Sequence, residues 1–239
     1  MEFSEFKEKM IINVDKLWIN LSEIQLKQFY NYMNLLIEWN KKINLTAITE
    51  PDEIILKHFV DSLTISKYIS DGTKVVDVGT GAGFPGIPLK IVRQDVDITL
   101  LDSLQKRINF LDEVINELNL EKITTVHSRV EDFGKNKKYR EEFDIATSRA
   151  VANLATLSEY LLPLVKVGGK VISMKGSLIQ EELENSKNAI KILGGQIEKV
   201  DEFDLPNSDI SRNIVLIDKI KNTPNRYPRK AGEPSKKPL

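Results

Sequence analysis

From residue 73 the chain alternates apolar runs of strand length with amphipathic segments long enough for helices. The runs are KVVDV (74–78), DITLLD (97–102), KITTVHS (122–128), FDIATS (143–148) and GKVISMK (169–175), with helical candidates at 85–93, 104–118, 153–162 and 178–192 between and after them. A connection that carries a helix returns the chain to the same end of a sheet, so this alternation predicts successive βαβ units and a parallel sheet. Gly194-Gly195 stops the last helix. Two more strands, QIEKVDEF (196–203) and RNIVLIDKI (212–220), are joined only by a turn from Pro206 to Asp209, which permits antiparallel pairing alone. No internal repeat of fixed period interrupts this order.

The first 70 residues read as helical. Ser22 and Gln25 form a possible capping box, and Leu26, Phe29, Met33 and Leu36/Ile37 recur on one face, which must pack on something. Thr49 with Asp52 and Pro51 suggests a second cap, opening PDEIILKHFVDSLTISKYIS before a boundary at Asp71-Gly72. With 239 residues, 41% of them hydrophobic, the chain can bury one core of about 150 residues and still carry appendages. The expected organisation is a helical region over 1–70, a ligand-binding domain over 71–220 and a tail over 221–239. Residues 219–239 hold seven Lys/Arg against one Glu, and four of the nine prolines, as expected of a basic, extended arm without a core of its own. The absence of cysteine excludes disulfides, thiolate zinc sites and a cysteine nucleophile. No apolar stretch suits a signal peptide or a membrane span, so a soluble cytoplasmic protein with no membrane or metal partner is expected, and a monomer.

The stretch VVDVGTGAGFPGIPLKI (75–91) places Gly79, Gly81 and Gly83 between the first strand and its helix, and Asp102 ends the second strand. Strand, glycine turn, helix and a following carboxylate for ribose hydroxyls make the general plan for an adenosine nucleotide. A P-loop fails, because Ile87 stands where a lysine is needed. Asp77 helps decide between a dinucleotide and S-adenosylmethionine. A pyrophosphate over this turn would meet its carboxylate, and like charges about 4 Å apart repel by roughly 1 to 4 kcal/mol at dielectric constants of 80 to 20. The ammonium and sulfonium of S-adenosylmethionine would be attracted instead, directly or through water. The bland alternative is that Asp77 only caps the following turn. A closing antiparallel strand further resembles the common class of methyltransferases, so the expected fold is α/β, a Rossmann-like seven-stranded class I S-adenosylmethionine-dependent methyltransferase with a small N-terminal helical region.

Taken in order, KHFVDSL (57–63), VVDVGTGAGFPGIPLKI (75–91), LLDSLQKRINFL (100–111), FDIATSRAVA (143–152), MKG (174–176), RNIVLI (212–217) and TPNRYPRKAGEPSKKPL (223–239) resemble the ribosomal RNA small subunit methyltransferase G family, also called glucose-inhibited division protein B. The resemblance spans nearly the whole chain. It implies methylation of N7 of a guanosine in the decoding-region loop of bacterial 16S rRNA, acting on that RNA, the small ribosomal subunit or its assembly intermediate. It also implies cofactor contacts at Gly79, Phe84, Val130, Glu131 and Arg149, with alanine common in relatives where Val130 stands.

The remaining chemistry is compatible with that target. Methylation of an exocyclic amine usually relies on a D/N-P-P-Y/F turn after the fourth strand, where this chain reads SRAV (148–151), and C5 methylation needs a cysteine. Guanine N7 attacks through a lone pair and loses no proton, so no base is required. Arg149 is expected to clamp cofactor or phosphate, its alternative being a surface pair with Glu141 or Glu142. His58 is expected as a hydrogen-bonded core residue and His127 as structural. Arg226, Arg229 and Lys230 around Tyr227 suit phosphate contacts with a stacking ring, and Lys175 and Arg212 are expected at the same strand ends. Two other readings stay open: a small-molecule methyltransferase with residues 1–70 as a lid, and a non-catalytic RNA-binding assembly factor. On the RNA reading, removal of residues 222–239 is expected to abolish activity on RNA while methyl-donor binding persists.

Overall fold

The computed structural model describes residues 1–177 and 179–239. Two helices open the chain, α1 (Phe3–Asp15) and α2 (Glu23–Asn40). The expected capping box starts α2: Ser22 Oγ accepts from the Gln25 amide at 3.2 Å, and Gln25 Oε1 accepts from the Ser22 amide at 2.9 Å. The second expected cap does not form. The residue before a proline is held extended, so Glu50 occupies the cap position ahead of Pro51, and Thr49 lies one residue too early. The helix that follows is also not uniform. It divides into α3 (Pro51–Ile54), a π-helical segment (Ile55–Val60) and α4 (Asp61–Leu63). Widened turns of this kind recur at functional sites; here the wide turn carries Lys57 and His58.

The alternation of runs then produces β1 (Lys74–Val78), α5 (Gly86–Val92), β2 (Asp97–Asp102), α6 (Gln105–Glu117), β3 (Ile123–His127), α7 (Val130–Lys135), β4 (Phe143–Arg149), α8 (Leu154–Leu161), β5 (Val165–Lys175) and α9 (Gln180–Ile192). Residue 178, predicted to start the last of these helices, lies outside the described residues. At six residues, α7 is too short for an apolar period to reveal it. The hairpin β6 (Gly195–Asp204) and β7 (Ser211–Lys219) follows, and α10 (Glu233–Lys236) lies near the C-terminus. All seven strands form one sheet in the order β3-β2-β1-β4-β5-β7-β6, with β7 antiparallel to both neighbours.

Because side chains alternate across a strand, neighbouring residues of β1 feed different cores: Val75 joins one apolar cluster and Val76 the other. The first cluster also takes Phe6, Met10, Leu26, Phe29 and Leu36, so the apolar face of α2 packs on the sheet and its helices. Polar ties fix the docking: Gln25 Nε2 donates to the Ile91 carbonyl and Gln28 Nε2 to that of Leu118, each at 2.8 Å.

The tail departs from its composition. It lies against the body: Arg140 donates to the carbonyls of Thr223 and Tyr227, both at 2.7 Å, and Tyr227 is buried in the second cluster. Pro228 packs so closely on Gly134 that a Cβ there would meet its ring at 3.1 Å. A count of charges and prolines records low apolar content in the segment itself; it does not record the donors and apolar surface waiting on the body.

Candidate active site

The connections after β1 and β4 leave the sheet in opposite directions, and in open α/β sheets ligands bind in the crevice at such a switch point. Gly79 follows β1 here, and Arg149 ends β4. Gly79 has φ +67°, and a Cβ on it would lie 2.6 Å from Val151 Cγ2, so both backbone angle and space call for glycine. Tyr32 of α2 holds the loop from the side, donating its hydroxyl to the Ala82 carbonyl and packing its ring against Phe84.

Two adjoining chambers open above this loop. The larger, of about 440 Å3, is lined by Gly79, Gly81, Phe84, Asp102 and Arg149, all expected from the sequence. The smaller, of about 200 Å3, shares Gly79 and Asp102 with it and adds Val130 and Glu131. Together they are of the size that holds a small organic ligand, roughly 300–1,000 Å3.

Asp77 is the exception, and its expected contact with the ligand is corrected. It is 0% exposed and lines neither chamber. Its Oδ2 accepts from Thr80 Oγ1 at 2.7 Å and from the Gly86 amide at 2.8 Å, while Oδ1 is buried with no partner among the described residues. The donors of its own turn are nearer than any ligand, so the carboxylate braces the glycine loop from beneath. Burial pushes its pKa up to about 6, against the pull of the Thr80 and Gly86 hydrogen bonds. Asp102 combines both roles. Oδ1 accepts from the Leu104 amide at 2.9 Å, and Oδ2 accepts from the Gly81 amide at 3.0 Å and from Arg107 Nη1 at 3.2 Å, yet a carboxylate has further lone pairs for a hydroxyl in the cleft.

Arg149 is held by the π-helical segment and α4, with no contact to Glu141 or Glu142. Nη1 donates to the Lys57 carbonyl and to Asp61 Oδ2, both at 3.0 Å, Nη2 donates to His58 Nδ1 at 3.1 Å, and the guanidinium lies 4.9 Å over the Phe84 ring. His58 is buried and hydrogen-bonded as expected, but it also lines the cleft, stacked on Phe84 with ring centroids 4.4 Å apart. Burial, reinforced by the Arg149 charge, pushes its pKa down to about 3. The imidazole is therefore neutral, its Nδ1 accepting from Arg149 and its Nε2–H donating to Thr46 Oγ1 at 2.8 Å. His127 is remote from this network; its Nε2 lies 3.0 Å from the Ser103 carbonyl.

The larger chamber pairs each of its arginines with a carboxylate, Arg149 with Asp61 and Arg107 with Asp102. Among the described residues no unpaired cation lines it, so this chamber suits a cationic adenosine ligand better than a diphosphate. Among the described residues no group of His, Asp or Glu is gathered to hold a metal ion, and no helix is long and apolar enough to cross a membrane.

Several lining residues carried no sequence signal. Thr46 is placed by Asn40, whose Oδ1 accepts from the Leu45 and Thr46 amides at 2.8 and 3.0 Å. Tyr160, Gly232 and Ser235 reach the smaller chamber from α8 and from the tail. Ser103 stands beside Asp102, Thr80 between Gly79 and Gly81, Ala150 beside Arg149 and Arg129 beside Val130, and these could have been inferred from those neighbours.

The expected RNA contacts divide. Arg229 is not free: it forms a two-pronged pair with the buried carboxylate of Glu159, Nη2 to Oε2 at 2.6 Å and Nε to Oε1 at 3.0 Å. Lys175 donates to the Ala152 carbonyl at 2.6 Å and to Glu182 at 2.5 Å, and Arg212 Nε donates to Asp61 Oδ1 at 2.9 Å. Buried carboxylates claim Arg212 and Arg229, and half-buried acceptors claim Lys175, which corrects their assignment to phosphate. Tyr227 is buried and offers no face for a base, while Arg226 and Lys230 are exposed.

The profile of the family described as rRNA small subunit methyltransferase G matches residues 25–215. A Clostridium novyi protein named Ribosomal RNA small subunit methyltransferase G is 53% identical over 229 residues, covering 95% of this chain and 93% of its own. One of the same name from Acetivibrio thermocellus is 55% identical over 222 residues, 92% of this chain and 91% of its own. Among solved structures, a SAM-dependent methyltransferase from Aquifex aeolicus is similar with a TM-score of 0.53 at 18% identity, over 76% of this chain and 97% of that one. At that identity the likeness concerns the fold alone.

Proposed function

This chain belongs to the rRNA small subunit methyltransferase G family, and from that premise we propose that it methylates N7 of one guanosine in the decoding-region loop of bacterial 16S rRNA. It is an S-adenosylmethionine-dependent enzyme. The observation that carries the reading is the two-chambered cleft over Gly79 at the sheet's switch point, in a chain more than half identical, over nearly its whole length, to proteins of that name. The substrate is 16S rRNA, free or within the small subunit or its assembly intermediate, in the cytoplasm.

Bound S-adenosylmethionine supplies a methyl group on a sulfonium, which the N7 lone pair takes with loss of the thioether and without release of a proton. The chain's own contribution is then positioning, a source of roughly 7 to 11 kcal/mol when reacting atoms are held in line. Gly79 and Gly81 would let the backbone approach the ligand, Asp102 would accept from ribose hydroxyls, and Val130 and Glu131 would hold the adenine end. Phe84 and Arg149 would contact the methyl donor in the larger chamber, with His58 beside them. His58 stays neutral, and Arg149 is held against the Asp61 carboxylate, which it shares with Arg212, so its charge is turned away from the purine ring only in part. Arg226 and Lys230 contribute exposed charge toward RNA phosphates.

Mapping 7-methylguanosine in small-subunit rRNA from a strain lacking the gene tests this. One modified guanosine should vanish and return when the purified chain, S-adenosylmethionine and small subunits are combined; an unchanged map overturns the proposal.

A further inference from the structure

The smaller chamber is not closed by the sheet and its helices. One wall is the C-terminal tail, from which Gly232 and Ser235 face Val130, Glu131 and Tyr160. The Gly232 amide donates to Glu131 Oε1 at 2.8 Å, across 101 residues of sequence. Gly232 has φ +79°, a conformation that turns the chain into α10 and that glycine adopts without penalty. The segment is fastened on both sides of this contact. Before it, Arg229 grips Glu159, which is 1% exposed at its side chain; after it, the Pro234 carbonyl accepts from Thr156 Oγ1 at 3.1 Å.

We infer that residues 230–236 are a fixed strap that completes the adenine end of the methyl-donor pocket, with the Gly232 amide holding Glu131 in its binding orientation. The inference rests on the cofactor assignment made above and gives the tail a task separate from RNA contact. A carboxylate fixed on one oxygen keeps the other for the ligand and loses less rotamer freedom on binding. Ser235 and Tyr160 shield that end of the pocket from solvent. The strap also reverses the expectation drawn from sequence that donor binding would survive loss of the tail.

The test is calorimetric titration of S-adenosylmethionine and S-adenosylhomocysteine into three proteins: the full chain, a chain ending at Arg229, and Gly232→Pro. The shortened chain keeps the Arg229–Glu159 anchor and loses the wall and the Glu131 contact, together with the Thr156–Pro234 hydrogen bond and the packing of Leu239. Gly232→Pro removes the donor amide and cannot hold a positive φ. Both variants should still melt cooperatively without ligand and should bind both ligands about tenfold more weakly or worse. If the shortened chain does not melt cooperatively, Gly232→Pro decides. Affinities equal to those of the full chain overturn the strap while leaving the enzyme assignment intact. A full chain that binds neither ligand overturns the assignment and the strap together.

Discussion

Arg149 and Asp61, 88 residues apart in sequence, meet at 3.0 Å on the wall of the cleft, and the same carboxylate takes Arg212 on its other oxygen at 2.9 Å. One buried negative charge therefore holds two arginines, one from the end of β4 and one from the start of β7. Asp61→Asn leaves both guanidinium groups short of a counter-charge. Breaking a buried pair from one side costs about 3 kcal/mol, so a drop of that order in urea-derived stability is expected, together with weaker methyl-donor binding. A variant as stable as the parent would show that the pair is dispensable.

His58 makes stability depend on acid. Its ordinary value of 6.5 falls to about 3 in the folded chain, so between those limits the unfolded state binds more protons, and stability declines as pH falls from 6.5 toward 3. His58→Asn removes this titration while leaving an acceptor for Arg149. Denaturation curves taken inside and above the window should show a shallower pH slope for the variant; parallel slopes contradict the assignment.

Asp77 acts with the opposite sign. Its carboxyl rises from 3.8 to about 6 on folding, so the folded state binds the extra proton in that window and stability falls as pH rises through it. Asp77→Asn keeps an acceptor for Thr80 and Gly86 without the charge. Relative to the parent, it should be more stable above pH 6 than below 3.8, a difference readable from thermal midpoints across the range.

The two neighbouring cations of the tail should separate in their effects. Arg229→Ala strands the buried Glu159 carboxylate and should cost about 3 kcal/mol, with the salt dependence of RNA binding unchanged. Lys230→Ala should leave stability within about 0.5 kcal/mol and reduce the slope of log affinity against log salt by about 0.7. Identical behaviour in both assays would erase the distinction drawn from burial.

Tyr32→Phe tests the N-terminal helices as a support for the glycine loop. It deletes the hydroxyl that satisfies the Ala82 carbonyl and should cost roughly 1–3 kcal/mol, with a matching loss of donor affinity measured by titration. Full affinity in a destabilised variant would mean that the loop holds its shape unaided.

The strands and the major helices after residue 73 were readable from the sequence because each is a local property: period two in a strand, period near four in a helix, and a turn too short for a crossover before β7. The glycine positions around Gly79 were readable for the same reason, since backbone freedom belongs to the residue. Side-chain destinations were not. Asp77 and Asp102 both look like ligand carboxylates in the chain, yet Thr80 and Gly86 claim the first while the second lines both chambers. Likewise Arg229 and Lys230 are adjacent and alike in charge, and only the position of Glu159, 70 residues earlier, separates an anchor from an exposed cation.

By itself, then, the sequence determined the sheet class, the glycine turn and, through family resemblance, the enzyme to which these belong. Only the tertiary structure decided which charges are neutralised inside the protein, that a basic tail lies docked along the cleft, and that Thr46, Tyr160 and Gly232 line it. The physical reason is that backbone preference and apolar periodicity act within a few residues, whereas the environment of a charge is set by whichever distant donor, acceptor or apolar surface folding brings against it.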